Sequence, residues 1–174
     1  MHAKTPWAVE EYKEFQVEAG GQDILVTWFP AHDVPEGKRH GSAGICVTDN
    51  GEIVLITPDG KNWGFPGGRP EGDESWEETL RREVREEACV EVRDAKLLGF
   101  GRTECLKGHE KGLVLVRSIW LAKVQLNEWT PEPGMLTRKL VSPAGILWEL
   151  RSDVFLPFYH RALIVGGLIT VISN

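Results

Sequence analysis

The chain has 174 residues, with 20 basic against 26 acidic, a formal net charge of -6 and 41% hydrophobic residues. That length and apolar fraction suit one soluble domain with a sizeable core. The acidic balance argues against broad, non-specific nucleic-acid binding, and three widely spaced cysteines, Cys46, Cys89 and Cys105, indicate no disulfide framework.

The first residues, MHAKTPWAVEEYKEF, lack the apolar run of a signal peptide. Phe15 to Ala19 and Ile24 to Phe29 then flank Gly20-Gly21 and read as a hairpin. Two strands are predicted next, Gly44 to Thr48 and Glu52 to Thr57, around the turn Asp49-Asn50-Gly51. The turn Pro58-Asp59-Gly60 leads into Asn62-Trp63-Gly64-Phe65-Pro66-Gly67-Gly68. Paired glycines there let the backbone approach a ligand closely.

Ser75 followed by Glu78 is a capping box, and helix formers run from there to Ala88. At roughly 100° per residue, Trp76, Leu80 and Val84 form an inward stripe spanning about 80°. Glu78, Arg81 and Arg85 fall on the solvated side. Glu83 and Glu87 each lie within about 20° of Trp76, and Glu86 flanks them at about 80°. Like charges at this spacing cost roughly 0.2–0.5 kcal/mol per pair. Glu86 and Glu87 also meet the negative end of the helix dipole, at about 0.3–1 kcal/mol each. A hard divalent cation would reverse both penalties by taking the carboxylate oxygens as ligands. A charged surface helix is the competing reading, but its glutamates rarely share an azimuth with the apolar stripe.

Glu91 to Gly101 and Leu113 to Leu126 read as later strands, separated by a polar loop over residues 107–112. Trp129 to Pro143 carries three prolines and is expected to be an irregular loop near the site. Ser152-Asp153 is a candidate cap for a last helix, with Pro157 near its start. Ala162 to Ile172 is apolar but too short to span a bilayer, and is expected to be a packed helix or strand. Cytoplasm is the expected compartment, by elimination. Strands, one long helix and more strands point to an α/β (α+β) class, a mixed β-sheet packed between helices. The expectation is one domain over 1–174, with residues 1–40 an N-terminal extension holding the hairpin.

Gly68, Glu74 and the run Arg82-Glu83-Val84-Arg85-Glu86-Glu87-Ala88-Cys89-Val90 resemble the Nudix box of the Nudix hydrolases. The family pattern is G-x5-E-x7-R-E-U-x-E-E-x-G-U, U being bulky and aliphatic. Residues 68–90 match every fixed position but one, where Cys89 replaces glycine. That position commonly needs a left-handed cap, so Cys89 is expected to cost about 1 kcal/mol or shift the helix exit. A buried, inert thiol is favoured there over a reactive one.

The resemblance implies a magnesium- or manganese-dependent enzyme that cuts a pyrophosphate bond in a nucleoside diphosphate linked to another moiety. Nucleoside triphosphates, nucleotide sugars and damaged nucleotides all remain open as substrates. By the same resemblance Glu83, Glu86 and Glu87 would hold the metal, joined by a backbone carbonyl of Gly67 or Gly68. Arg82 would orient the carboxylates, its neighbours at four residues being Glu78 and Glu86, and Glu74 would be a structural partner at the helix entry. Glu83, Arg82 and Glu86 form the catalytic set, with Glu83 the first choice of general base. A later acid, Glu104, Glu110, Glu128, Glu132 or Glu149, is the alternative base. Trp63 and Phe65, with Arg69 and Arg39, are the candidate substrate contacts, and Lys38 and His40 are further candidates for phosphate. Trp28 and Phe29 are weighed as base-stacking rings against a plain core role. Partners are otherwise limited to a homodimer through the early hairpin, with no membrane. The competing function is a non-catalytic nucleotide sensor or regulatory module on the same fold, which retention of every box carboxylate disfavours.

Overall fold

The computed structural model describes residues 14–171. β1 (Glu14–Ala19) and β2 (Gln22–Pro30) form the early hairpin, with both turn glycines, Gly20 and Gly21, at positive φ. β3 (Lys38–Val47) and β4 (Ile53–Thr57) follow, then a two-residue strand, β5 (Gly67–Gly68). The helix α1 spans Trp76–Ala88 and is followed by β6 (Val90–Lys107), β7 (Val114–Leu126) and β8 (Thr137–Val141). A 3-10 turn at Pro143–Gly145, a single-turn α2 (Ile146–Glu149) and α3 (Leu156–Val165) close the described chain.

One mixed sheet runs in the order β1-β2-β6-β7-β3-β4-β8, with β5 added against β3. β3 and β7 are parallel and the other pairs antiparallel. Alternate side chains of the central strands enter opposite cores, as the two-residue period of a strand requires. Cys46, Val54, Ile56, Trp120 and Ala122 pack under α1 with Leu80, Val84 and Ala88. Ile45, Ile53, Leu55 and Ile119 face the other way, against Ile146, Leu150, Phe158 and Leu163. The sheet is therefore covered on both faces, the mixed sheet between helices expected from the chain.

α1 begins as its sequence dictates. The Ser75 hydroxyl accepts from the Glu78 amide at 3.1 Å, and the Glu78 carboxylate accepts from the Ser75 amide at 3.2 Å. Leu80 and Val84 are fully buried, with Trp76 partly buried beside them. Gly44 allows the close approach, because a Cβ there would fall 2.9 Å from Leu80 Cδ1. A buried chain of hydrogen bonds fixes the helix start over the sheet. Trp120 donates to Ser118, Ser118 to Ser42, and Ser42 to the carbonyl of Trp76.

At the other end Cys89 takes the left-handed conformation, φ 54° and ψ 50°, the only such non-glycine residue among those described. Its thiol is buried and its sulfur accepts from the Thr130 amide at 3.3 Å. Arg138 completes the exit by donating to the carbonyls of Ala88, Cys89 and Asn127. Cys89→Gly relieves about 1 kcal/mol of backbone strain but loses a buried side chain and loosens the unfolded chain by a comparable amount. Its unfolding free energy from urea titration is expected to stay within about 1 kcal/mol of wild type. Cys89→Val, β-branched at positive φ, should cost more than about 2 kcal/mol. Equal stability of the two variants would show that this conformation is not held in solution.

Three sequence expectations are corrected. Residues 137–141 are not irregular loop: they form β8, which pairs with β4 from Thr57↔Thr137 to Ile53↔Val141. The three prolines that suggested an irregular loop, Pro131, Pro133 and Pro143, all lie outside those five residues. The first strand after the box runs on to Lys107, because its second half pairs with β2 on one side and β7 on the other. The last helix starts at Leu156 rather than at Ser152-Asp153. Asp153 instead caps the preceding turn, its carboxylate accepting from the Phe155 amide at 2.8 Å. Pro157 sits in the first turn, where its missing N–H is harmless. Within the apolar stretch 162–172 the helix ends at Val165, followed by Gly166-Gly167. No described helix is long and apolar enough to cross a membrane.

Candidate active site

Three carboxylates of the box accept hydrogen bonds from one guanidinium. Arg82 donates to Glu74 at 2.6 and 3.0 Å, to Glu83 at 2.9 Å and to Glu86 at 2.9 Å. It also holds the Arg69 carbonyl at 2.8 Å, which ties the loop after β5 to the helix. Its proton is bound more firmly than in free arginine, chiefly through Glu74. Glu78 is absent from this set because the capping box occupies its carboxylate. Glu74 accepts as well from Thr79 and from the Glu71 amide, and Arg82 holds its carboxyl down to about 2.

Glu83 and Glu87 project from the inward half of α1 onto β5. The Gly67 amide donates to Glu87 at 2.9 Å. Gly68 leaves room for the other carboxylate, since a Cβ there would fall 2.4 Å from the Glu83 carboxyl carbon. The Gly68 carbonyl lies against β3, 2.2 Å from where a Cβ on Gly41 would stand.

Burial pushes the Glu87 carboxyl up to about 7, opposed by the Gly67 amide and reinforced by Glu83 and Glu132. Glu83 is raised by burial too, opposed by Arg82 and reinforced by Glu86 and Glu132. Among the described residues no three acidic, histidine or cysteine side chains converge closely enough to hold a metal ion. Arg82 draws Glu83 and Glu86 to one side while the Gly67 amide draws Glu87 to the other. The donors nonetheless suit a hard divalent cation: carboxylate oxygens, crowded and partly desolvated, with no soft ligand among them.

The five later acids are not equivalent, and Glu128 is exposed just beyond β7. Glu104 pairs with Arg102, Glu110 with Gln22, and Glu149 with Lys139. Glu132 is exposed on the β7–β8 loop, within electrostatic reach of both Glu83 and Glu87. Its amide donates to the Glu86 carbonyl at 3.1 Å, so the loop is fastened to the end of α1. The structure brings Glu132 to the box and leaves Glu104, Glu110 and Glu149 in pairs of their own.

The candidate substrate contacts are dispersed. Arg39 stacks over Trp76 at 4.4 Å and donates to the Glu74 carbonyl. Trp63 lies under the Lys139 ammonium at 3.9 Å, and Phe65 meets Tyr159 edge-on at 5.2 Å. Arg69 is exposed, and its charge reaches His40. Trp28 is core, packed on Phe158 at 5.3 Å. Two residues that the sequence reading passed over matter here, Arg138 at the helix exit and Arg117 on β7. Arg117 shares a strand face with Leu115 and Ile119, so strand alternation alone could have marked it as an inward cation.

The model of the NUDIX domain matches residues 38–151. That span contains the whole loop-helix site, and the chain belongs to the NUDIX domain family, as a hydrolase. Solved structures agree on the fold. A mutant of the Bacillus subtilis pyrophosphohydrolase RppH superposes with a TM-score of 0.64 at 22% identity, covering 89% of this chain and 99% of that one. A NUDIX hydrolase from Nitrosomonas europaea gives 0.59 at 18% identity, covering 79% and 94%. The MutT protein of Bacillus halodurans gives 0.55 at 20% identity, covering 71% and 80%. No curated protein matches the chain.

Proposed function

We propose that this chain is a divalent-cation-dependent hydrolase of a pyrophosphate bond in a nucleoside diphosphate linked to another moiety. The observation that carries the reading is that Glu83 and Glu87 both face Gly67-Gly68 while Arg82 holds Glu83 together with Glu86. Glu83, Glu86 and Glu87 would hold the cation, together with a backbone carbonyl of Gly67 or Gly68, and magnesium or manganese fits their oxygen donors. Such an ion, when bound, supplies charge neutralisation on phosphate oxygens and a water made nucleophilic near neutral pH.

The residues themselves account for the remaining requirements. Arg82 holds both Glu83 and Glu86 through Nη1, while Glu74 grips the other edge of the guanidinium through Nε and Nη2. Glu132 is our choice of general base over Glu83, because Arg82 already occupies Glu83 whereas no described donor engages the Glu132 carboxylate. A base must be free to accept a proton from the attacking water. Three free cysteines, all buried, favour the cytoplasm as its location.

A phosphate-release assay over a panel of nucleoside triphosphates, nucleotide sugars and oxidised nucleotides, with and without magnesium, tests the reading. Magnesium-dependent release from at least one class is expected. Glu132→Gln should slow it by about 10²–10⁴-fold with the fold unchanged. Nucleotide binding without release from any member would support the sensor reading instead.

A further inference from the structure

A cavity of about 260 Å³ lies between the sheet and α3, walled by Ile24, Val26, Leu115, Phe155 and Phe158. Four polar side chains open into it: His40, Thr103, Arg117 and Tyr159. Among the described residues none of the four makes a side-chain hydrogen bond or ion pair. This sets Arg117 apart, since Arg81, Arg82, Arg102 and Arg138 each engage a carboxylate or a carbonyl. Arg117 is half-buried, and a guanidinium taken partly out of water needs acceptors in return.

Its charge is felt at Glu87 on one side and at His40 and Tyr159 on the other. Arg117 also pairs with Gly41 of β3, and β5 pairs with β3, so the cavity lies one strand away from the glycines that Glu83 and Glu87 face. No carboxylate lines it, so the occupant must bring the acceptors. His40 is biased toward its neutral form, which has one donor and one acceptor, by burial and then by Arg117, Arg69 and Lys38, against Glu110. The fixed supply is thus rich in donors. Phe155, Phe158 and Tyr159 give the cavity aromatic walls suited to a planar ring. Half of the lining, from β2, Phe155 and α3, lies outside residues 38–151, so it is contributed by what flanks the family region.

We propose that this cavity receives the base of the nucleotide and selects one with an acceptor edge, guanine over adenine, with Arg117 as the selecting residue. Guanine offers O6 and N7 together to a guanidinium fork, whereas adenine places an amino donor beside its N7. The assignment rests on the nucleotide-hydrolase reading of the box carboxylates.

The test needs no turnover. Methyl resonances of Ile24, Val26 and Leu115 are followed while the full chain, in chelator, is titrated with guanosine or adenosine monophosphate. Those methyls are expected to shift, with guanosine monophosphate bound about tenfold more tightly. Arg117→Met should reduce the difference to less than about twofold, and the same spectra report whether it folds. Arg117→Lys, which keeps the charge but loses the fork, should also shrink it. Equal or tighter binding of adenosine monophosphate, or shifts confined to other methyls, overturns the assignment. Nucleotide hydrolysis without the preference refutes the base site alone, and preferential binding without hydrolysis refutes the hydrolase reading alone.

Discussion

Replacing Glu87 by glutamine is expected to abolish turnover while making the cation-free protein more stable above neutral pH. Lewis-acid assistance from a bound cation is worth several kcal/mol of transition-state stabilisation. Losing one anionic ligand should therefore cost at least about 10³-fold in rate. Glu86→Gln should behave alike in turnover, and undiminished hydrolysis in both variants would discard the site. The stability effect comes from the raised carboxyl of Glu87. Its pKa moves from an ordinary 4.5 to about 7 on folding, so the native state holds the proton more tightly. Stability of the cation-free protein therefore falls as pH rises from about 4.5 through 7, and the full cost is present above that window. With solvent screening the cost is about 1–3 kcal/mol, an order of magnitude. Glutamine keeps an oxygen for the Gly67 amide and carries no charge, so its urea midpoint should lack this slope. Unfolding in chelator at about pH 5 and about pH 8 measures the difference.

Arg82→Met is expected to act in the opposite sense on stability. Methionine fills much of the volume but leaves Glu74, Glu83 and Glu86 facing one another without their common cation. Removing one partner of a buried ion pair costs about 3–5 kcal/mol. Here the side chains retain 13–29% exposure, which screens the loss to about 2–4 kcal/mol. Turnover should fall with it, because the Nη1 that joins Glu83 to Glu86 is gone. Arg82→Lys keeps the charge and should recover more stability than rate, since an ammonium cannot serve three carboxylates in one plane. Added magnesium should restore part of the stability of either variant by binding the folded state. A variant as stable and as active as wild type would mean that the guanidinium does not organise the carboxylates.

Residues 75–89 carry their own instructions. Ser75 and Glu78 cap each other, the Leu80–Val84 stripe chooses the buried face, and the positive φ of Cys89 follows from its place after the helix. All of these are interactions among near neighbours, so spacing along the chain is enough to find them. The hairpin around Gly20-Gly21 is legible for the same reason.

β8 was not legible, because five residues among prolines become a strand only when the edge of β4 offers them a ladder. The choice among later acids was likewise beyond the chain alone. Glu132 differs from Glu110 only in that the β7–β8 loop is fastened to the Glu86 carbonyl, whereas Gln22 engages Glu110. Trp63 and Arg39 could not be placed from composition either. Each is taken up by a partner far along the chain, Lys139 for the first and Trp76 for the second.

The sequence by itself determined the family, the loop-helix and the carboxylates it turns inward, since helix periodicity fixes azimuth without reference to the rest of the molecule. Only the tertiary structure decided which acid joins them, and that Arg117 meets His40, Thr103 and Tyr159 in one cavity. Those groups come from β3, β6, β7 and α3, and strand pairing and helix docking alone bring them within reach of one another.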